Sequence, residues 1–199
     1  VSWNTVRYDG KIDFSKFVCD EPSLNDYLHQ KAAQDQENDI CVLYFLINDQ
    51  NEVGGFYVLS NGSIRRQDLP TAKARKNLPG YPLGTVHIGR LARHKDFVKQ
   101  QLGDRLIFSA FEIAEKSAVS TAAHALTVDA KHMKAETYYA KYGFESLNPD
   151  PAKQTEYPKA MYIKMKDVRF ALDSNPPIFV ARVRVPHEKS TRDQRVEHA

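Results

Sequence analysis

The stretch VDAKHMKAETYYAKYGF at 128–144 runs from the end of an apolar strand into a helix that stops at a glycine followed by an aromatic. Residues 125–128 read as the strand, and Asp129 closes it where the chain must turn. In the helix, Met133, Thr137, Tyr138 and Ala140 recur at three- and four-residue spacing and are expected to face inward. Gly143 is expected to supply the left-handed residue that ends it.

Upstream, TVHIGRLARHKDFVKQQLGDRLIFSAFEIAEK at 85–116 reads as a strand over 85–93, a turn, and a helix over about 102–116. Leu106, Ile107, Ala110, Phe111 and Ala114 share one face of that helix. Nearer the start, residues 3–8 suggest a strand and about 23–34 a helix. Ser23 would cap this helix, and Leu24, Tyr27, Leu28, Lys31 and Ala32 would form its buried stripe. Residues 41–47 and 53–60, joined by Asn48-Asp49-Gln50-Asn51, predict an antiparallel hairpin. Residues 61–84 lose periodicity, carry three prolines and several bases, and read as a long loop with one short helix. A last strand is expected at 160–165.

A chain of 199 residues with 42% hydrophobic content suits one domain with a full core. We place that domain at 1–166 and a tail at 167–199, with an extra edge strand at 178–185. No apolar run approaches the roughly 20 residues of a membrane span. The opening VSWNTVRYDG lacks the zones of a signal peptide, so a cytoplasmic protein is expected. Cys19 and Cys41 have no metal-ligand spacing, which argues against a zinc site or a disulfide framework, and no metal is expected. The net charge of +3 permits a polyanionic partner without requiring one. Arg65, Arg66, Lys73, Arg75, Lys76, Arg90, Arg93, His94 and Lys95 are the candidates for holding phosphates, although Lys73 to Lys76 read equally as a solvated face. His87 and His124 lie within or beside apolar strands and read as packing histidines.

Ala135, Tyr138, Tyr139, Gly143 and Phe144 present a small residue, an aromatic pair and Gly-Phe at a spacing that resembles the last helix and strand of the GNAT acetyltransferase superfamily. Residues 85–116 resemble its central strand, cofactor turn and following helix, in the family's order. Phe17, Cys19, Leu24, Asn25, Tyr27, Leu28 and Ala32, then GFYVLS at 55–60, LPGYPLG at 78–84 and IGRLAR at 88–93, are similar to a narrower group, the GNAT toxins of bacterial toxin–antitoxin pairs. The likeness covers about residues 14–166. It implies an α+β fold, the GNAT fold, with a central mixed, mostly antiparallel sheet, helices on both faces and a splayed central strand pair.

The resemblance also implies acetyl-CoA as donor, the α-amine of an aminoacyl-tRNA as acceptor, and a ribbon-helix-helix antitoxin protein as partner. Homodimers are common in the group, and the likeness permits one here. Leu91, Ala92 and Arg93 would pair with the pantetheine arm. Lys99, Gln100, Gln101, Leu102, Gly103 and Asp104 would surround the pyrophosphate at the start of the next helix. Family members show Gly-x-Gly-x-Gly or Ala in this turn, whereas here Lys99 and Gln101 replace the first two glycines and only Gly103 matches. Arg65, Arg66, Lys73, Arg75, Lys76, Arg90, His94 and Lys95 would hold the RNA.

Tyr139 takes the position of the family's proton donor to the departing thiolate, although spacing alone reads it as a packing aromatic. No carboxylate base stands out, and Asp129 reads as a cap. The α-amine of an aminoacyl ester is less basic than lysine, which makes the need for a base milder. Two rival readings keep the fold: acetyl transfer to a small amine or protein amine, and an interaction module that has lost cofactor binding.

Overall fold

Side chains alternate along the second strand so that Leu43 and Phe45 face one layer while Tyr44 and Leu46 face the other. That period of two, with apolar residues on both sides, requires a sheet covered on both faces. A computed structural model of the chain describes residues 2–148, 150 and 156–174 and contains such a sheet. Strands β1 (Trp3–Arg7), β2 (Val42–Asn48), β3 (Val53–Ile64), β4 (Leu83–Arg93), β5 (Ala125–Ala130), β6 (Glu145–Ser146) and β7 (Lys159–Lys164) form one seven-stranded sheet in the order β1-β2-β3-β4-β5-β7-β6. Every pairing is antiparallel except β4 with β5. A parallel pair needs a crossover, and α4 (Leu102–Thr121) supplies it.

One face packs α4, α5 (Met133–Ala140) and α6 (Met165–Ser174) onto Tyr57, Val86, Ile88, Leu126, Val128 and Ile163. The other face carries α1 (Pro22–Gln30) and α2 (Ala32–Glu37), whose Leu28 and Ala32 are buried against Leu43, Phe45 and Phe56. A third cluster seats α3 (Ala72–Arg75) through Ala74, with Leu69, on Leu83, Ala125 and Tyr162. Helices thus cover both faces of a mixed, mostly antiparallel sheet, as expected. No helix among the described residues is long and apolar enough to cross a membrane.

Several expectations change. The single helix over 23–34 is two helices that part at Lys31, whose φ of −130° is not helical. Its cap is Glu21 ahead of Pro22, while Ser23 lies inside the first turn with its hydroxyl on the Glu21 carboxylate. Lys31 is exposed. The loop begins later and ends earlier than expected, because β3 and β4 extend their ladder to Ile64 and Leu83. Polar Asn61, Gly62 and Ser63 pair there despite their low strand preference. Asp129 does not end β5, since it and Ala130 pair with β7. Residues 165–174, which the sequence leaves to the last strand and the tail, form α6, with Val168 fully buried in the main core. The edge strand expected at 178–185 lies outside the described residues.

Candidate active site

The β4–β5 ladder holds only from Thr85 to Ile88, opposite Ala125 to Val128. Beyond Ile88 both strands continue and no longer pair. The register of β4 against β3 slips at the same point: Ile88 faces Leu59 and Arg90 faces Val58, so Gly89 is an extra residue, a β-bulge. The bulge turns β4 away from β5 and opens a cleft of about 360 Å³. Gly89, Arg90 and Leu91 line one wall, Val128 and Asp129 the other, and Ala135, Tyr138 and Tyr139 of α5 close one end. Asp20 and Glu21, just ahead of α1, and Leu24 within it close the other side.

The last turn of α5 fixes the aromatic pair. Gly143, at φ +89°, lets its N–H reach the carbonyl of Ala140 at 3.0 Å, and the N–H of Phe144 reaches that of Tyr139 at 3.3 Å. This double closure is a Schellman motif, and its usual apolar partner contact is present as Phe144 against Tyr139, ring centroids 5.5 Å apart. The inward face is therefore Ala135, Tyr138 and Tyr139. Met133, Thr137 and Ala140, expected inside, are exposed; Met133 opens the helix and is 72% accessible. A helix of two turns with a half-buried Ala135 cannot bury both flanks, and the two tyrosines take the sheet side.

Tyr139 is buried to 7% yet lines the cleft. Burial, then the charge of Asp129, pushes its phenol above the ordinary range, so it carries its proton at any working pH. Tyr138 also lines the cleft. Its hydroxyl donates to the Gly103 carbonyl at 2.8 Å, joining α5 to the first turn of α4.

The turn before α4 keeps a helix start. A 3₁₀ segment, Lys95–Gln100, leads to Gln101, which stands in the left-handed region at φ +53°. The first helical bond visible there is Arg105 N–H to Gln101 O at 3.2 Å, so the N–H groups of Leu102, Gly103 and Asp104 precede the helical ladder. Side chains in the turn are largely committed elsewhere. Gln100 accepts from the Trp3 indole at 2.8 Å, Leu102 is in the core, and Asp104 pairs with Lys141 at 2.9 Å and with the Tyr142 hydroxyl. Lys99 is exposed. Leu91 and Arg93 are half-buried, Ala92 is buried, and Arg93 Nη1 is sealed without a hydrogen-bond partner among the described residues. An unpaired strand edge beside a helix N-terminus has the main-chain donors that a pantetheine arm and a pyrophosphate require. The residues present fit acetyl-CoA in that respect, with Gln101 as the strained point.

The basic candidates do not converge. Ile64 pairs with Leu83, six residues before Gly89 and so about 20 Å along the strand, which puts Arg65, Arg66, Lys73, Arg75 and Lys76 toward the far end of β4. Arg65 there pairs with Asp68 at 3.2 Å, and Arg66 and Arg75 donate to main-chain carbonyls. Arg90 is half-buried in the cleft wall, its guanidinium 5.0 Å from the Tyr27 ring centre and bonded to the Gly89 carbonyl. His94 is no surface cation: it is buried between Phe17 and Phe97 and accepts from the Asp96 N–H. Lys95 is exposed. Cleft residues that sequence reading missed are Asp20, Glu21, Lys131, His132 and Lys134. An isolated glycine inside a strand was the available sign of the bulge at Gly89. Among the described residues no cluster could hold a metal ion.

Comparison with known proteins agrees with this geometry. Residues 13–157 match the profile of the acetyltransferase (GNAT) domain. The chain is 31% identical over 165 residues to a tRNA-acetylating toxin of Mycobacterium tuberculosis (strain ATCC 25618 / H37Rv), covering 82% of this chain and 92% of that one. It superposes on AtaT complexed with acetyl-methionyl-tRNAfMet with a TM-score of 0.75 and 25% identity, over 85% of this chain and 98% of the other. For AtaTR bound with AcCoA the TM-score is 0.70 at 26% identity, over 84% and 96%. A domain profile spanning most of the chain, a relative this similar over most of its length and a sheet that parts at a bulge agree, and the chain belongs to the GNAT acetyltransferase family.

Proposed function

We propose that the chain transfers the acetyl group of acetyl-CoA to the α-amine of an aminoacyl-tRNA and so blocks translation, as a toxin. The observation that carries this reading is the cleft where β4 leaves β5 at Gly89, with Tyr139 at one end and the start of α4 beside it. Likeness to the tRNA-acetylating toxin and to AtaT with an acetylated aminoacyl-tRNA supports the acceptor. Acetyl-CoA supplies an activated thioester when bound. Gly89–Arg93 and the N–H groups of Leu102, Gly103 and Asp104 would hold it.

Tyr139 holds the proton that the leaving sulfur needs. Exposed Arg65, Arg66, Lys73, Lys76 and Lys95 are suited to salt-sensitive contacts with RNA phosphates, while the cleft itself takes only the aminoacyl end. A ribbon-helix-helix antitoxin is the partner that the resemblance to this toxin group supports.

The test is transfer of labelled acetyl from acetyl-CoA to bulk charged tRNA. Tyr139→Phe is expected to lower the rate by about 10²–10⁴ while acetyl-CoA binding, measured by calorimetry, stays unchanged. A variant as fast as the parent removes Tyr139 from the mechanism. Transfer to free amines but never to charged tRNA removes the proposed acceptor.

A further inference from the structure

The parallel ladder of β4 with β5 ends where Ile88 meets Val128, so the next residue of each strand, Gly89 on one and Asp129 on the other, stands where the two part. Both line the cleft. Leu126, Val128 and Ala130 turn into the core beneath α4. Strand alternation therefore sends the Asp129 side chain to the opposite face, the one that carries α1 and its cleft residue Leu24. Ala125 and Thr127, which precede it on that face, are buried, whereas Asp129 is exposed.

The carboxylate of Asp129 makes no hydrogen bond and no ion pair among the described residues. Two cations of the same cleft are engaged elsewhere: Arg90 on the Gly89 carbonyl and the Tyr27 ring, and Lys131 on the Ser23 hydroxyl at 3.0 Å. Glu21, another acid of the lining, accepts from that same hydroxyl at 3.0 Å. Asp129 thus presents a charge to the cleft without a counter-ion. After burial, it is this charge that raises the Tyr139 phenol, so the carboxylate stands within electrostatic reach of the proton donor. The two residues belong to opposite faces of the sheet. Tyr139 lies in the core beneath α4, on the side where the start of α4 would hold the donor's phosphates. An amine attacking the acetyl carbon then comes from the α1 side, where Asp129 waits.

We propose that Asp129 is the acceptor-side catalytic residue, drawing the acceptor ammonium to the point where β4 and β5 part and taking the proton that its nitrogen sheds on acetylation. The inference rests on the acetyl-transfer reading and supplies the base that reading lacks. The ammonium of an aminoacyl ester is more acidic than that of lysine, and its first proton goes to solvent. The amine lone pair attacks the acetyl carbonyl carbon and a C–N bond forms. The adduct nitrogen is now positively charged and passes a proton to the Asp129 carboxylate. The C–S bond breaks, and its electron pair leaves on sulfur, which takes the Tyr139 proton. A carboxylic acid is a stronger acid than a phenol, so Asp129 returns its proton to Tyr139 through water and both residues are reset. One proton is released per amide formed.

Asp129→Asn tests this, because the amide keeps the shape of the side chain and removes both charge and basicity. Two acceptors are used, bulk charged tRNA and an equimolar mixture of amino-acid methyl esters. The variant is expected to lose about 10²–10³ in kcat with each. Its KM for charged tRNA should stay within about threefold of the parent, since phosphate contacts carry that affinity. Acetyl-CoA binding by calorimetry and the unfolding temperature should not change. In Asp129→Ala, added formate is expected to recover about tenfold or more of the lost rate by standing in for the missing carboxylate. An Asn variant within about threefold of the parent in kcat with both acceptors, or an Ala variant that formate leaves unchanged, overturns the proposal. A rate loss that comes with weaker acetyl-CoA binding or a lower unfolding temperature overturns it too. If the parent acetylates the esters but not tRNA, the acceptor reading fails and the Asp129 comparison is decided on the esters. A parent silent with both acceptors overturns the two together.

Discussion

The Tyr138 hydroxyl donates to the main-chain carbonyl of Gly103 at 2.8 Å, and this one bond ties α5 to the turn that would hold the donor's phosphates. Its ring also lies over Gly103, where a Cβ would stand at an ordinary contact distance of 3.4 Å. Tyr138→Phe keeps the ring and removes the bond, which should cost about 1 kcal/mol in denaturant unfolding. The loosened first turn of α4 should weaken acetyl-CoA binding a few-fold in calorimetry. Tyr139→Phe should instead spare binding and lose rate, so the two neighbours separate by which constant moves.

Gln101 occupies the left-handed region at φ +53° immediately before α4, a conformation that favours glycine. A side chain there costs about 1 kcal/mol or somewhat more. Gln101→Gly is expected to leave stability unchanged or raise it by up to about 1 kcal/mol, and to tighten acetyl-CoA binding by clearing the approach to the N–H groups behind it. Thermal unfolding and titration check both. A destabilised variant would mean that the Gln101 side chain makes a contact that outweighs its strain.

Much of the architecture was legible because it rests on local patterns. Alternation at Leu43 to Leu46, the Asn48–Asn51 turn and the glycine at 143 each dictate a local geometry without help from distant residues. What the sequence hid depends on pairs far apart in the chain. Whether Met133 or Tyr139 turns inward is decided by the sheet beneath α5, not by spacing within eight residues. His94 resembles a surface cation in sequence because one of the rings that enclose it, Phe17, comes from a distant segment, while the other, Phe97, folds back from the turn just after it. His87 finds its partner in Thr127, forty residues away, whose hydroxyl also reaches the Val86 carbonyl.

Gly54 holds α4 close to the sheet. A Cβ there would lie 2.2 Å from the Trp3 ring and 2.7 Å from Leu102 Cδ1, well inside contact distance. Trp3 in turn donates its indole N–H to Gln100 in the turn before α4. Gly54→Ala must therefore displace both the first strand's anchor and the first residue of the helix. Overpacking of this kind costs about 1–3 kcal/mol. The variant is expected to unfold at lower denaturant and to bind acetyl-CoA more weakly, because the pushed residues flank the phosphate turn. Unchanged stability would show that β3 yields locally.

Asp104 links the same turn to pH. Burial pushes its carboxyl up, but hydrogen bonds from Lys141 and Tyr142 and the charge of Lys141 outweigh this and hold the folded pKa below 3.8. The unfolded carboxyl therefore takes up its proton at a higher pH than the folded one. Its contribution to stability is complete above the unfolded value and disappears as pH falls through the folded one. The carboxylate also stands in the first turn of α4, where the helix dipole favours negative charge. Asp104→Asn should then cost about 1 kcal/mol at neutral pH. The gap between parent and variant should close as the pH is lowered from about 5 to below about 3, and high salt should narrow it at neutral pH. Unfolding curves measured across that range check the prediction, and a gap that stays constant with pH would mean that the Asn variant fails through packing, with the ion pair contributing nothing.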